Sequence, residues 1–175
     1  MTETTILPYV HDPAYDTHFL AIYGNWMLFL NKDQRYLGRS YAWWVGGHVD
    51  RMDISQLPIA DMYDLFHGVT RAFSAAVAEA WGATHVNYSW LGNEVDKHGG
   101  HGHLHLVPRY FKRSPIIGSE TFPDLHIKKN WALEGGPRLV TGLVLPQILT
   151  LLRNALVFDD PSKVRSLDEF VPPAR

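Results

Sequence analysis

Three histidines at alternate positions, His101, His103 and His105, are the residues in this sequence best suited to chemistry. In an extended strand successive side chains point to opposite faces, so the three imidazoles share one face while Leu104 and Leu106 turn to the other. An imidazole with an unperturbed pKa near 6.5 serves close to neutral pH as nucleophile, acid–base group or metal ligand. As a nucleophile it can attack phosphorus, with neighbouring imidazoles donating hydrogen bonds to phosphate oxygens or to the leaving group. Catalysis at phosphorus is mostly positioning and charge stabilisation, and a row of imidazoles beside glycine-rich backbone suits that task. As ligands the three cannot share one ion, because the Cα atoms of His101 and His105 lie about 13 Å apart at the usual strand rise. An ion would take two of them and a remote partner such as His48, His85, Asp96 or His98. Nucleophile, ligand pair and three ordinary half-exposed histidines all remain open at this point.

The surrounding pattern supplies elements to hold such a row. Trp26 to Leu30 and Ser40 to Val45 read as strands around the loop Asn31–Arg35, an antiparallel pair. Met62, Leu65, Phe66, Val69, Phe73 and Val77 repeat at helical spacing and predict a helix from about Ala60 to Trp81, apolar on one face. Gly82 follows where a helix usually stops. Thr84–Leu91 and Gly102–Val107 read as two further strands. Prolines and glycines from Tyr110 to about Gly142 argue for irregular structure, with a short helix after Pro146 carrying Ile148, Leu149, Leu152 and Leu156. The tail from Asp159 reads as extended over the surface. The pattern is α+β: an antiparallel sheet of about five strands covered by one main helix, with an irregular C-terminal extension and a short terminal helix.

Composition narrows the class. At 175 residues the chain suits one domain, and 46% hydrophobic with 19% charged residues excludes wholesale disorder. A net charge of −2 gives no basic field for a long nucleic-acid backbone. With no cysteines, thiolate nucleophiles, disulfides and sulfur-ligated metals are excluded. The N-terminus lacks a basic start and apolar run, and no stretch reaches membrane-span length, so a cytoplasmic protein without membrane contact is expected.

His101-Gly102-His103-Leu104-His105-Leu106-Val107 resembles the histidine triad signature, His-x-His-x-His followed by two apolar residues, and Pro108-Arg109 is also usual there. Asn87 to Val95 resembles the strand and loop that lead into the signature in bacterial members of the diadenosine tetraphosphate hydrolase-like branch. Leu28 to Gly38 is similar to their nucleoside-binding hairpin. Residues 18–110 resemble the family domain, leaving 1–17 as an arm and 111–175 as an extension packed on the same domain. The resemblance implies a homodimer, a nucleotide substrate attacked at the α-phosphate, a covalent nucleotidyl-histidine intermediate and no cofactor or metal. It puts the nucleophile at His103, with His101 and His105 orienting it and contacting phosphate. It also puts a ribose contact at Asn31, where a purely turn-forming asparagine is the alternative, beside Phe29 or Leu30 as a wall for the base, and a loop or phosphate contact at Asn93.

Four departures accompany the resemblance. Gly102 stands where an apolar residue is usual, and can mark a close backbone approach or a bulge. Lys97, in an apparent insertion, stands where a phosphate-contacting glutamine is usual, and brings charge either to phosphate or to solvent. Arg39 replaces a histidine after Gly38; its fork could clamp a phosphate or simply face solvent. Residues 111–158 have no counterpart. His48 reads as a turn residue, and His85, on the strand next to the three histidines, as a supporting partner to them or as ordinary packing. Tyr41, Trp43 and Trp44 read mainly as core or dimer surface, with purine stacking by one ring as the sharper alternative. Two other functions compete with the enzyme: a nucleotide-binding module without turnover, and a metal-dependent enzyme using two of the three histidines.

Overall fold

A computed structural model describes residues 17–46, 53–91, 103–125, 136–140 and 142–167. Six strands form one antiparallel sheet, in spatial order β4-β5-β3-β2-β1-β8. They are β1 (Phe19–Tyr23), β2 (Trp26–Leu30), β3 (Ser40–Trp44), β4 (His85–Trp90), β5 (His103–Arg109) and β8 (Val164–Arg165). A separate two-stranded hairpin joins β6 (Ile116–Ile117) to β7 (Glu120–Thr121).

The sheet has six strands where the sequence pattern gives about five, and the two that the residue pattern does not place, β1 and β8, lie together at one edge. Phe19–Tyr23 is a strand because Gly24-Asn25 closes a two-residue turn, pairing Tyr23 with Trp26. Gly24 sits at φ 55, and a Cβ there would lie 2.6 Å from Asp64 Oδ2, so both turn and packing demand glycine. The tail is not simply extended over the surface: a 3-10 turn at Pro161–Lys163 leads into β8, which pairs with Ile22 and Tyr23. Two residues are too few for any periodicity to show.

The main helical run begins with α1 (Ile59–Tyr63), passes through a π-helical stretch (Asp64–Val69) and continues as α2 (Thr70–Trp81). Gly82 ends it in the left-handed region at φ 74. Leu65, Val69, Phe73 and Val77 are buried as the spacing predicts, but Phe66 is 45% exposed. The buried face pairs residues 68 with 69, 72 with 73 and 76 with 77, and Phe66 falls one position off it. This run packs on the sheet face formed by Trp26, Leu28, Leu30, Ala42, Trp44, Leu104 and Leu106. The second helix, α3 (Val144–Ala155), adds Ile148, Leu149 and Leu152 to the same core. Pro146 is its third residue rather than its first, still within the turn whose N–H groups have no helical partner.

Candidate functional site

The opposite face of the sheet carries the histidines. Leu104 and Leu106 join the core under the helices, so His103 and His105 project from the other side of β5. Their rings stand edge to face, centroids 4.8 Å apart at an interplanar angle of 70°. Tyr41 approaches His103 edge-on at 6.1 Å. Register fixes the neighbours. His105 lies opposite Tyr41 on one side and Ser89 on the other, and Tyr41 lies opposite Phe29. His103 lies opposite Trp43, which lies opposite Met27. Phe29, Tyr41 and Trp43 stack on one another at 4.8–5.7 Å and, with Ile22, Met27 and Val45, form an apolar floor beside the imidazoles. At 8% and 7% exposure the two histidines are largely screened from bulk water, where hydrogen bonds and charges act more strongly than in solvent.

Asn31 follows β2 on the same face as Phe29, its N–H donating to Arg39 O at 2.8 Å. One pleat along and two strands across from His105, its Cα is about 12 Å away by sheet spacings. The Asn31 carboxamide oxygen accepts the Asp33 N–H at 2.8 Å, which fixes the amide orientation and leaves its NH₂ as the remaining donor group. The Asn31 side chain thus forms the turn that starts the loop. Gln34, fully buried, ties the loop from inside: its Nε2 donates to Asn31 O and Arg39 O, and its Oε1 accepts the Gly38 N–H. Gly38, at φ 77, lies so close to Trp81 that a Cβ there would come within 2.5 Å of the ring.

Arg39 is buried and its Nη1 reaches Asp33 Oδ2 at 2.9 Å; Arg35 pairs with the same carboxylate at 2.6 Å. The fork that could meet a phosphate is thus turned onto the loop's own aspartate. Burial opposes the charge of Asp33, but hydrogen bonds from the Arg35 side chain and from the N–H groups of Arg138 and Arg35, with the charge of Arg39, outweigh it and hold the carboxyl below its ordinary value. At the end of β5, Arg109 forms a two-pronged pair with buried Asp124, at 2.7 and 3.1 Å. His85 is exposed at the rim, opposite Arg109 and edge-on to Phe111. Trp44 belongs to the helix side, donating to Asp61 Oδ2 at 2.8 Å, and Leu30 is in the same core; Phe29 is the ring on the histidine face.

His101, Asn93 and Lys97, with His48, Asp96, His98 and Gly102, lie outside the described residues. The structure thus brings His103 and His105 together and sets Asn31 and Arg39 in the loop between β2 and β3, one pleat along the sheet, with Asn31 two strands across. Among the described residues no three histidine, aspartate or glutamate side chains gather as a metal site. Asp33, Gln34, Asp124 and Arg138 are the residues that sequence inspection passes over. Alternating Asn31, Asp33 and Arg35 carry a detectable signature of successive side-chain-capped turns, but nothing local marks Gln34 as buried or Arg138 as a neighbour.

No protein-family model matches the sequence, and no curated protein matches it. The fold does have solved counterparts. A histidine triad protein from Marinobacter aquaeolei VT8 superposes with a TM-score of 0.59 at 17% identity, over 83% of this chain and 94% of that one. A hypothetical histidine triad nucleotide-binding protein from Sulfolobus tokodaii gives 0.54 at 15% identity, over 79% and 83%. A zinc-bound histidine triad family protein from Mycobacterium smegmatis gives 0.51 at 20% identity, over 79% and 84%. At these identities the shared property is architecture: the chain has the fold of histidine triad proteins.

Proposed function

We propose that this protein is a histidine triad hydrolase or nucleotidyl transferase that cleaves a phosphoanhydride or phosphoramidate bond at the α-phosphate of a nucleotide. The observation that carries the proposal is the pair of adjacent imidazoles on the sheet face opposite the helices, in register with an aromatic floor that leads across two strands toward Asn31. In this scheme a ring nitrogen of His103 attacks phosphorus and the bond to the leaving group breaks. The leaving group takes a proton from solvent; the oxygen of water or of another acceptor then bonds to phosphorus and gives its proton to solvent as the phosphorus–nitrogen bond breaks and frees His103. His105 and His101 hold the phosphate oxygens, Asn31 donates to the ribose, and Phe29 walls the base. Asn93 and Lys97 serve the phosphates from the preceding loop, while Arg39 acts from behind by holding the Asn31 loop. Substrates with two nucleosides joined by polyphosphate, as in the diadenosine tetraphosphate hydrolase-like branch, fall within the proposal, as do a homodimer and a cytoplasmic location. No helix among the described residues is long and apolar enough to cross a membrane.

Incubation with a diadenosine polyphosphate and with an adenosine phosphoramidate tests this directly. Release of AMP, falling by about a thousandfold or more in His103→Ala, is the expected result for loss of a covalent nucleophile. Near-normal release by that variant rejects His103, and binding without release assigns a nucleotide-binding module. The 4.8 Å pair also suits two-point ligation of one ion; metal analysis and a chelator control on AMP release separate that alternative.

A further inference from the structure

We infer that Arg138 is a positioning residue for the nucleoside end of this site, acting through Asp33 on Asn31; the inference rests on the proposed nucleotide reading. Residues 136–140 lie along the Asn31–Arg39 loop as a strap. Asp33 and Leu139 form an isolated antiparallel bridge, and the Gln34 N–H donates to Arg138 O at 2.8 Å. The Arg138 N–H donates to Asp33 Oδ1 at 3.0 Å, and the Asp33 N–H donates to Asn31 Oδ1 at 2.8 Å. Two hydrogen bonds therefore connect the strap to the carboxamide to which the nucleotide reading gives the ribose contact. The strap is anchored in turn by the Arg138 side chain. Its guanidinium lies 3.8 Å over the buried Phe122 ring and donates to Thr121 O at 2.8 Å and to Glu120 Oε2 at 2.9 Å. Stacking and a charge-assisted fork hold it against the β6–β7 hairpin. The position of Asn31 is thus set from a segment more than 100 residues away in sequence, in the part of the chain that lacks a counterpart in the family pattern.

The anchor faces the loop and the hairpin, not the histidines, so its loss is expected to act on nucleoside affinity rather than on chemistry at phosphorus. Calorimetric titration with AMP and with inorganic phosphate, together with steady-state AMP release, tests this on the full-length protein. Arg138→Ala should weaken AMP binding and raise KM by about tenfold, the loss of roughly one charge-assisted hydrogen bond. Phosphate affinity should hold, and kcat should stay within about threefold, because the histidine face is unchanged. Arg138→Lys should recover part of the loss, and Glu120→Gln, which keeps the stack on Phe122, should give a smaller shift in the same direction. Unchanged AMP binding in Arg138→Ala overturns the inference, as does equal weakening of AMP and phosphate. Should Arg138→Ala fail to fold, Glu120→Gln decides by the same two ligands. If the wild-type protein binds phosphate but not AMP, the nucleotide reading fails first and the positioning role falls with it.

Discussion

Asp33 is the residue on which the loop beside the histidines converges. One carboxylate receives Arg35, Arg39, and the N–H groups of Arg35 and Arg138. Replacing it with asparagine removes the charge but not the shape, so the expected cost at neutral pH is about 1.5–3 kcal/mol, the range for hydrogen bonds to a charged group. The sign with pH follows from the direction of its shift. A carboxyl held low in the folded state stabilises the fold above its unfolded value and loses that contribution as pH falls through the folded one. Denaturation of the wild type and Asp33→Asn should therefore show a gap at pH 7 that closes only in acid, below an ordinary aspartate's 3.8. A gap of constant size across that range would mean the carboxylate charge is not what holds the loop. At this scale the sequence is informative where chemistry and spacing coincide. His103 and His105 share a face because strand alternation requires it, and Leu104 between them and Leu106 after them are core because they are leucines on the other face. Arg39 was visible only as an arginine after a glycine; that it turns back to Asp33 depends on a loop path no local pattern records.

The elements that present the histidines are fixed from the other side of the sheet. Gly68 sits in the π-helical stretch where the helix passes closest to β1, and any Cβ there would collide with the Tyr23 ring. Tyr23 cannot step aside freely, because its ring is stacked on Phe158 at 4.8 Å and 11°. Gly68→Ala should consequently cost about 1–3 kcal/mol through overpacking, although alanine is otherwise the better helix former. Urea denaturation measures it, and a neutral or stabilising alanine would show that the π turn relaxes to an ordinary helix without loss. The helix itself is legible from its apolar repeat and from Gly82. The wide turn within it is not, because the signature is one shift in the buried face, seen in the exposure of Phe66. Strands β2, β3, β4 and β5 are likewise legible from their aromatic and apolar runs. Strand β1 is hidden by its continuity with β2 across a two-residue turn, and β8 by its brevity.

Across the molecule, the chain after β5 returns to the sheet domain at both ends. At one end Tyr110 donates its hydroxyl to Leu37 O at 2.8 Å, and the strap meets Asp33. At the other, Arg153 donates to Phe19 O and β8 extends the sheet beside β1. The strongest fastening is the Arg109–Asp124 pair, with side chains 3% and 1% exposed. The same carboxylate accepts the Tyr110 N–H at 3.3 Å, so Asp124 closes the segment between β5 and the end of the β6–β7 hairpin. Removing one partner of a buried pair leaves an uncompensated charge, which typically costs about 3–5 kcal/mol. Asp124→Ala should show a loss of that order in urea denaturation. The double variant Arg109→Met with Asp124→Leu should recover much of it, since a buried pair replaced by apolar side chains is often neutral. Because the strap that reaches Asp33 follows this segment, Asp124→Ala should also weaken AMP binding, whereas the stable double variant reports whether the pair is needed for position or only for charge balance. A single variant losing less than about 1 kcal/mol would mean the pair is solvated rather than dry, and the extension would then be held mainly by Tyr110, the strap and β8.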